Sequence, residues 1–348
     1  MAEKVRIGFV GAGYMGQNAH MANYAKIESC ELAALAEGRA ETAKAVAQKF
    51  GIPKIYPDHH ALLEDESIDA VVAVMGFHLF NSLVRDILNA GKPLITEKPI
   101  CIRPDNARQL NDLAEQKGVH YQIGYMKRHD VGAKAARQTI QQWRETGEAG
   151  NLSYLRVAMP PGDWTMEHEQ PVNRGDHAPP YEGQTGESPP EWMDKRQGNR
   201  YVGFINFYIH QINLIRYLLG EDYRVEYADS GGRVMTAVSD SGALILLEMA
   251  GRGLQYRWIE TYTAHFDSGY VHLEMPAPMA RHRAGEAHIY RAGDPPQETR
   301  LYLPQKWAFE EQARAFAASI QHGEPNLAPA GDAVKDLEVS EEYIRAVS

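Results

Sequence analysis

Three glycines near the start of the chain are spaced as Gly11-x-Gly13-x-x-Gly16, a pattern suited to holding a pyrophosphate. They directly follow an apolar run and open a helical pattern, so they lie where a strand turns into a helix. There Gly11 permits the tight turn, Gly13 lets backbone approach a phosphate, and Gly16 lets helix and strand pack closely. The helix N-terminus favours the phosphate charge. The sequence predicts a dinucleotide site of these glycines with Tyr14 and Met15; the alternative is a glycine-rich turn of another α/β protein.

An acidic residue at the end of the second strand pattern bears on the choice of dinucleotide. Glu37 directly follows the apolar run 32–36. A carboxylate in this place accepts hydrogen bonds from both ribose hydroxyls of NAD and repels the 2′-phosphate of NADP. Arg39 argues the other way, because a guanidinium could pair with that phosphate, unless it is simply solvated at the helix start. We predict NAD as the cofactor, with NADP the less favoured choice.

A lysine at the end of another strand pattern is the first candidate catalytic residue. Glu97-Lys98-Pro99 ends the apolar run that begins at Pro93. Ligands of open parallel sheets bind beyond the carboxyl ends of the strands, so we expect Glu97 and Lys98 at the cofactor and substrate. A lysine ammonium there can polarise a carbonyl or hold a hydroxyl beside a nicotinamide. Taken alone, the tripeptide is more often a surface turn.

Strand and helix patterns alternate through the first third of the chain. The predicted strands are 5–10, 31–36, 70–75, 93–96 and 120–124, and the predicted helices are 16–27, 40–50, 79–90 and 105–117. Such alternation predicts right-handed βαβ units on a doubly wound parallel sheet. The sequence therefore predicts a Rossmann domain over residues 1–125.

After residue 125 the rhythm changes and predicts a second α/β domain over residues 126–348. Its predicted elements are a helix at 133–146, a strand at 153–159, a helix at 204–219, strand patterns at 224–238, 243–249 and 254–264, and helices at 307–322 and 332–347. Consecutive strands without intervening helices predict a mostly antiparallel open sheet. The segment 160–198 has almost no periodicity, and irregular segments of this length are often lids or binding loops.

The composition limits the partners and the chemistry. Lys+Arg 36 against Asp+Glu 46 gives a formal net charge of -10, which argues against nucleic acid as a partner. Two cysteines exclude a disulfide scaffold and a four-cysteine metal site. We recognise neither a signal peptide nor a membrane-spanning run, so we expect a cytoplasmic protein without a membrane partner. The adjacent His59 and His60 do not point to one metal on a regular element, and no metal ligand is predicted.

The glycine pattern, the Glu97-Lys98-Pro99 tripeptide and the later antiparallel domain together resemble the Gfo/Idh/MocA oxidoreductases, which include glucose-fructose oxidoreductase and inositol dehydrogenases. The resemblance covers nearly the whole chain, including Asp69-Ala70-Val71-Val72 and Gly124-Tyr125-Met126-Lys127-Arg128. It implies an NAD-binding domain over 1–125, a substrate-binding and oligomerisation domain over 126–348, and a homodimer or homotetramer. It also implies a dehydrogenase or reductase acting on a secondary hydroxyl of a sugar, sugar acid or cyclitol.

The family's catalytic helix usually carries an Asp, a His four residues later, and often an Asp three residues further on. The matching residues here are Asn206, His210 and Asn213. On a continuous helix this spacing places all three on one face, with structural hydrogen bonds to backbone as the alternative role. Because an asparagine cannot exchange a proton, His210 is the expected acid/base beside the catalytic Lys98. Asn206 and Asn213 are then expected to orient the substrate, with the Tyr208 hydroxyl assisting.

Other contacts are expected from the resemblance and from aromatic residues. The loop of Met75, Gly76 and His78 is expected to contact the cofactor, although Phe80 stands where relatives often have a histidine. Arg128 matches a position near the substrate in inositol dehydrogenases, or else is a solvated arginine. Aromatic groups suit the apolar face of a sugar ring, so the irregular segment offers Trp164, and beside it Asp163, His168, Arg174, Tyr181 and Trp192.

Two other functions stay open. Some relatives retain NAD, oxidise a sugar transiently, eliminate a group and reduce the product again, which gives net glycoside cleavage. A catalytically silent NAD-binding protein is the third possibility, because Asn206 replaces the family's aspartate.

Overall fold

The N-terminal strands form one parallel sheet in the computed structural model, which describes residues 4–166, 169–179, 186–251, 253–254 and 256–347. They are β1 (Val5–Val10), β2 (Cys30–Ala36), β3 (Lys54–Tyr56), β4 (Ala70–Ala73), β5 (Leu94–Thr96) and β6 (Tyr121–Ile123). Their order is β3-β2-β1-β4-β5-β6, with all neighbours parallel. This doubly wound order reverses between β1 and β4, next to the glycine turn, and confirms the predicted Rossmann sheet. The three-residue β3 is too short to give a pattern in the sequence.

Helices connect these parallel strands. A helical stretch at 14–24 follows β1 and contains a π-helix, Gly16–Met21, that continues into α1 (Ala22–Tyr24). The others are α2 (Ala40–Phe50), α3 (His59–Leu63), α4 (Phe80–Asn89), which follows a 3₁₀ turn at Phe77–Leu79, and α5 (Pro104–Lys117). Both α2 and α5 end at a glycine in the left-handed region, the usual helix stop.

A second sheet of eight strands lies in the later part of the chain. A 3₁₀ turn at Met126–His129 precedes α6 (Val131–Thr146), β7 (Leu152–Ala158), α7 (Lys195–Phe207), α8 (Ile209–Leu219), β8 (Tyr223–Ala228), β9 (Val234–Ser239), β10 (Leu244–Glu248), β11 (Thr261–Phe266), β12 (Gly269–Glu274), β13 (Glu286–Arg291), β14 (Gln297–Arg300), α9 (Ala308–His322) and α10 (Ala330–Val347). The order is β14-β13-β12-β11-β7-β10-β9-β8, and only β7 and β10 pair in parallel. The predicted mostly antiparallel open sheet is confirmed.

Two of the predicted elements take a different form in the structure. The predicted strand 224–238 is the hairpin β8–β9, because the Asp229 carboxylate accepts backbone N–H groups of a turn between the strands. The predicted helix 204–219 is two helices, α7 and α8, separated at Tyr208. A capping box formed by Asp194 and Gln197 starts α7 nine residues earlier than predicted. The strands β12 to β14 were not predicted.

Contacts group the chain into two compact units. The first comprises Met1–Tyr125, Glu169–Met193 and Phe309–Leu337, and the second comprises Met126–His168, Asp194–Ala308 and Glu338–Ser348. The first unit thus includes two segments beyond the predicted domain 1–125, because apolar residues of α9, Phe316 among them, pack in the core beneath β1 and β2. Within the described ranges, no helix has both the length and the apolarity needed to cross a membrane.

Candidate functional site

The glycine turn after β1 has the geometry that a pyrophosphate requires. Gly11 has a φ of +89°, and a Cβ there would lie 2.4 Å from the Val74 carbonyl oxygen. A Cβ on Gly16 would lie 3.0 Å from the carbonyl oxygen of Gly11. At Gly13, by contrast, no heavy atom of the described residues beyond its chain neighbours lies within 4 Å of a Cβ. Packing therefore requires the first and third glycines, whereas the second leaves room for a ligand, so the turn fits a dinucleotide.

The helix that follows the glycine turn is wound as a π-helix over Gly16–Met21, and all six residues are buried. Tyr14 and Met15 precede it and are half-buried. Gln17 Nε2 donates to the carbonyl oxygen of Ala12 at 2.8 Å, which ties the π-helix to the turn. π-Helical turns are rare and frequently mark functional sites.

Glu37, the predicted partner of the ribose hydroxyls, is bound to Arg39 and to the glycine turn. Its Oε1 accepts from the Arg39 backbone N–H (3.1 Å) and Nε (2.9 Å), and its Oε2 accepts from Arg39 Nη2 (2.7 Å) and the Ala12 N–H (2.9 Å). Burial raises the pKa of Glu37, but these hydrogen bonds outweigh it and hold the pKa below its ordinary value. A carboxylate has about four acceptor positions, so a ribose hydroxyl must displace a bond from Arg39. Arg39 is therefore not the solvated residue considered above.

Residues 169–179, which we call the strap, contact the helix after the glycine turn. Gln17 forms a reciprocal pair with Val172: its Nε2 donates to the Val172 carbonyl oxygen at 2.9 Å, and its Oε1 accepts from the Val172 N–H at 2.9 Å. Asn18 Nδ2 donates to the carbonyl oxygen of Glu169 at 3.0 Å. Both side chains are nearly inaccessible to solvent, so the strap is held by buried amide groups.

The other end of the strap contacts the start of α2. Asp176 Oδ2 accepts from the backbone N–H groups of Glu41 (2.8 Å) and Thr42 (3.2 Å), and Asp176 Oδ1 accepts from the Thr42 hydroxyl. The Thr42 hydroxyl in turn accepts from the Arg174 N–H at 3.0 Å. A Cβ on Gly38 would lie 3.0 Å from Cβ of Ala178. No pattern in the sequence indicated these contacts, which join residues more than 130 positions apart.

Lys98 follows β5 and is half-buried, and a buried pair fixes the residue before it. His20, on the π-helix, lies with its Nε2 2.8 Å from Glu97 Oε1, and both side chains are at least nine-tenths buried. The backbone N–H of Lys98 donates to Glu97 Oε2 at 3.3 Å. His20 was not predicted; its contact with Glu97 links the π-helix to the end of β5.

The loop after β4, predicted to contact the cofactor, borders the glycine turn. Met75 Cγ lies 2.9 Å from the position that a Cβ on Gly11 would take. His78 is exposed, and its imidazole lies within 3 Å of the Cβ position of Gly76. Phe80, by contrast, is fully buried at the start of α4, so it belongs to the core.

The predicted catalytic residues of the second unit lie on two helices rather than one. Asn206 is exposed near the end of α7, whereas His210 is half-buried in the first turn of α8. Tyr208 lies between the helices, stacks on Phe204 at 5.6 Å and donates its hydroxyl to the Met249 carbonyl oxygen at 3.3 Å. Burial raises the pKa of Tyr208 well above its ordinary value. The break at Tyr208 thus separates the exposed Asn206 from the half-buried His210, and the expectation that Asn206, His210 and Asn213 share one face stays a prediction.

Asn213 and Arg128 are buried and bonded to each other. Arg128 Nε donates to Asn213 Oδ1 at 2.6 Å, and the guanidinium lies over the Tyr217 ring at 5.2 Å. Arg128 is 3% exposed, so the alternative of a solvated arginine is wrong. Asn213 is thus held by the side chain of Arg128.

A buried ionic cluster beside these residues was missed by the sequence patterns. The Glu260 carboxylate is fully buried and accepts from the Lys127 ammonium, from Gln211 Nε2 (2.7 Å), from the Tyr262 hydroxyl (2.7 Å) and from Trp258 Nε1 (3.2 Å). Gln211 follows His210 in α8, and Lys127 precedes Arg128. The cluster therefore anchors the backbone on which both predicted site residues stand.

The aromatic residues of the irregular segment are divided between the units. Trp164 is half-buried in the second unit, where its carbonyl oxygen accepts from the Met279 N–H at 3.2 Å. The Asp163 carboxylate accepts hydrogen bonds from the N–H and hydroxyl of Thr165 and from the N–H of Met166 in a local turn. Arg174 and Trp192 are exposed in the first unit, and His168 and Tyr181 lie outside the described residues.

His59 and His60 differ from the sequence expectation. Their rings lie 4.0 Å apart, and His59 Nε2 is 2.9 Å from Asp86 Oδ2. One potential ligand atom from each of the three residues lies within 4.8 Å of the others. The geometric expectation that these two histidines do not point toward one metal is therefore wrong, while the expectation that no metal is bound stays a prediction.

Comparison with known proteins finds similarity to oxidoreductases. Residues 5–125 match a family model described as an oxidoreductase family with an NAD-binding Rossmann fold. The chain is 24% identical over 238 residues to myo-inositol 2-dehydrogenase of Thermotoga maritima, and 25% identical over 235 residues to scyllo-inositol 2-dehydrogenase (NAD(+)) of Bacillus subtilis. Each alignment covers 68% of this chain, and they cover 62% and 59% of those two proteins.

A solved structure has the same fold along nearly the whole chain. A 3-ketoreductase from Actinomadura kijaniata, crystallised with NADP and TDP-benzene, superposes with a TM-score of 0.73 at 17% identity. The alignment covers 99% of this chain and 98% of that one. Both sheets therefore have a counterpart in a protein of known structure.

Proposed function

Because residues 5–125 match the model of the Gfo/Idh/MocA oxidoreductase family, we propose that the chain transfers a hydride between NAD and a secondary hydroxyl of a sugar, sugar acid or cyclitol. The observation that carries this proposal is the glycine turn, in which Gly11 and Gly16 have no room for a Cβ and Gly13 faces open space. Inositol dehydrogenases among the relatives support the substrate class.

The first unit holds the cofactor. The backbone of the Gly11–Gly16 turn binds the pyrophosphate. Glu37 accepts a hydrogen bond from a ribose hydroxyl once one of the hydrogen bonds from Arg39 is released. Met75 borders the same turn, and Met75 and His78 of this loop contact the dinucleotide. A bound nicotinamide supplies the chemistry of hydride acceptance or donation, which no protein side chain can supply.

Lys98 holds the reacting hydroxyl. Its ammonium donates hydrogen bonds to the substrate oxygen and stabilises the negative charge that develops there as the proton leaves. The backbone position of Lys98 is set by Glu97, which the buried His20 holds at 2.8 Å. The pair keeps the end of β5 rigid, which is what the alignment of substrate with cofactor requires.

His210 takes the proton of the hydroxyl. An imidazole ordinarily titrates near neutrality and is suited to this step. The Asn206 amide does not titrate near neutral pH, and burial holds Tyr208 in its protonated form at neutral pH. Asn213 and Arg128, bonded at 2.6 Å, shape the substrate side of α8.

A second candidate is an enzyme that retains NAD and uses it transiently to cleave glycosides. The strap favours this candidate, since it is bonded both to Gln17, which follows the glycine turn, and to Thr42 in the helix after Glu37. Such a protein would copurify with NAD and cleave glycosides without added cofactor. Mass spectrometry of nucleotide released on denaturation distinguishes it from an enzyme that exchanges its cofactor.

Binding of NAD tests the proposal at the glycine turn. Gly13→Val places a side chain in space that is open in the protein, so the variant is expected to fold and to lose NAD binding. Gly203→Ala, on the exposed face of α7, is the matched control, because its Cβ also meets none of the described residues within 4 Å. If titration calorimetry gives Gly13→Val the same Kd for NAD as the unaltered chain, the proposed site is wrong.

A further inference from the structure

We propose that Asp176, carried on the strap, excludes the 2′-phosphate of NADP and thereby makes the chain select NAD. This inference rests on the proposed binding of a dinucleotide at the glycine turn. It assigns specificity to a residue that lies 139 positions after Glu37, the acidic residue at the end of β2.

Asp176 occupies the start of α2. The residue at the N-cap of this helix, Arg39, has an extended backbone and makes no side-chain cap within the described part of the chain. Asp176 supplies the cap instead, accepting from the N–H groups of Glu41 and Thr42 and from the Thr42 hydroxyl. Free N–H groups at a helix start bind phosphate readily, so a carboxylate in this place removes an anion site.

The charges around α2 oppose a phosphate as well. A 2′-phosphate needs a cation, and Arg39 is the arginine beside this site. Its guanidinium is bound to both oxygens of Glu37, and Asp176 adds a second negative charge nearby. Two carboxylates thus face one guanidinium. The side chain of Arg174, also on the strap, is exposed, so solvent screens its charge.

The strap cannot move Asp176 aside without breaking buried contacts. Gln17 and Asn18 bind the strap at Val172 and Glu169, and Gly38 packs against Ala178 on the other side of Asp176. Asp176 is therefore fixed between two anchored points. NADP would have to bind with its 2′-phosphate repelled by the Asp176 carboxylate, or the contacts that hold the strap would have to break.

The test is calorimetric titration of the full chain with NAD and with NADP. Asp176→Asn keeps an acceptor for the cap of α2 and removes the charge; we expect the Kd for NADP to fall roughly tenfold, while that for NAD stays within about twofold. Asp58→Asn is the matched control, because Asp58 caps α3 of the same unit and accepts from the Ala61 N–H. It is expected to leave both Kd values unchanged.

Arg174→Ala tests whether selectivity depends on the position of Asp176 or only on the net charge of the strap. We expect it to change the ratio of the two Kd values by less than about twofold, since the exposed guanidinium is screened. If the unaltered chain binds NAD but Asp176→Asn does not bind NADP more tightly, the inference is wrong and the proposed function still stands. The inference is also wrong if Arg174→Ala or Asp58→Asn changes the ratio of the Kd values for NADP and NAD as strongly as Asp176→Asn does. A chain that binds neither dinucleotide overturns both proposals.

Discussion

Replacing Lys127 by methionine is expected to lower the free energy of unfolding of the second unit by about 3 kcal/mol. The substitution leaves the carboxylate of Glu260, which is 0% exposed, without its counter-charge. Breaking a buried ion pair costs about 3–5 kcal/mol, and the low end applies because Gln211, Trp258 and Tyr262 still donate to Glu260. Glu260→Gln, which leaves the ammonium buried opposite a neutral amide, is expected to cost a similar amount.

The double variant Lys127→Met/Glu260→Gln removes both charges together. We expect it to cost less than the sum of the single variants, with a coupling energy of about 2 kcal/mol or more. Urea denaturation followed by tryptophan fluorescence measures each corner of the cycle. The exposed pair of Arg224 with Glu226, at 2.9 Å in the same unit, provides the control, where coupling should stay below about 1 kcal/mol. Additive effects of Lys127→Met and Glu260→Gln would refute the reasoning.

Three further results are expected. His20→Ala should cost about 1.5–3 kcal/mol of stability and lower kcat with an unchanged Kd for NAD, because Glu97 loses its buried hydrogen-bond donor. His20→Gln should restore a donor. Equal stability of His20→Ala and the unaltered chain in urea would contradict this. Glu37→Ser releases Arg39 and should tighten NADP binding in calorimetry, and an unchanged Kd for NADP would contradict it. Burial, together with the nearby charges of Lys134 and Arg128, lowers the pKa of His129 to about 3. Below about pH 6.5 the unfolded chain therefore binds a proton at His129 that the folded chain does not bind, so stability is lost as the pH falls. Between pH 7 and pH 5 His129→Leu should therefore lose about 2 kcal/mol less than the unaltered chain in urea titrations, and parallel losses would contradict this.

The Rossmann sheet was predictable because its strands are apolar runs separated by helical patterns of ordinary length. The glycine turn was predictable for the same reason, since strand, turn and helix are contiguous in the chain. The second sheet was predicted in type but not in detail. Strands β12 to β14 alternate buried and exposed residues weakly, and β14 has four exposed residues, so their hydrophobic pattern is faint.

Contacts between residues distant in the chain account for what the sequence did not indicate. The occupation of Glu37 by Arg39 depends on side-chain geometry that spacing does not reveal. Asp176 meets Thr42 across 134 positions, and Lys127 meets Glu260 across 133. The π-helix that turns His20 toward Glu97 also has no signature in a single sequence, since its residues follow an ordinary helical composition.

The most direct test of the central claim is the appearance of reduced nicotinamide when the full chain is mixed with NAD and a panel of cyclitols, sugars and sugar acids. We expect at least one compound of the panel to be oxidised. His210→Ala should lower the rate roughly 10²–10⁴-fold, the usual scale for a lost acid/base, and Lys98→Ala should also slow it, with NAD binding preserved in both. A chain that binds NAD with a measurable Kd, yet oxidises none of these compounds and reduces none of the corresponding ketones with NADH, would contradict the account.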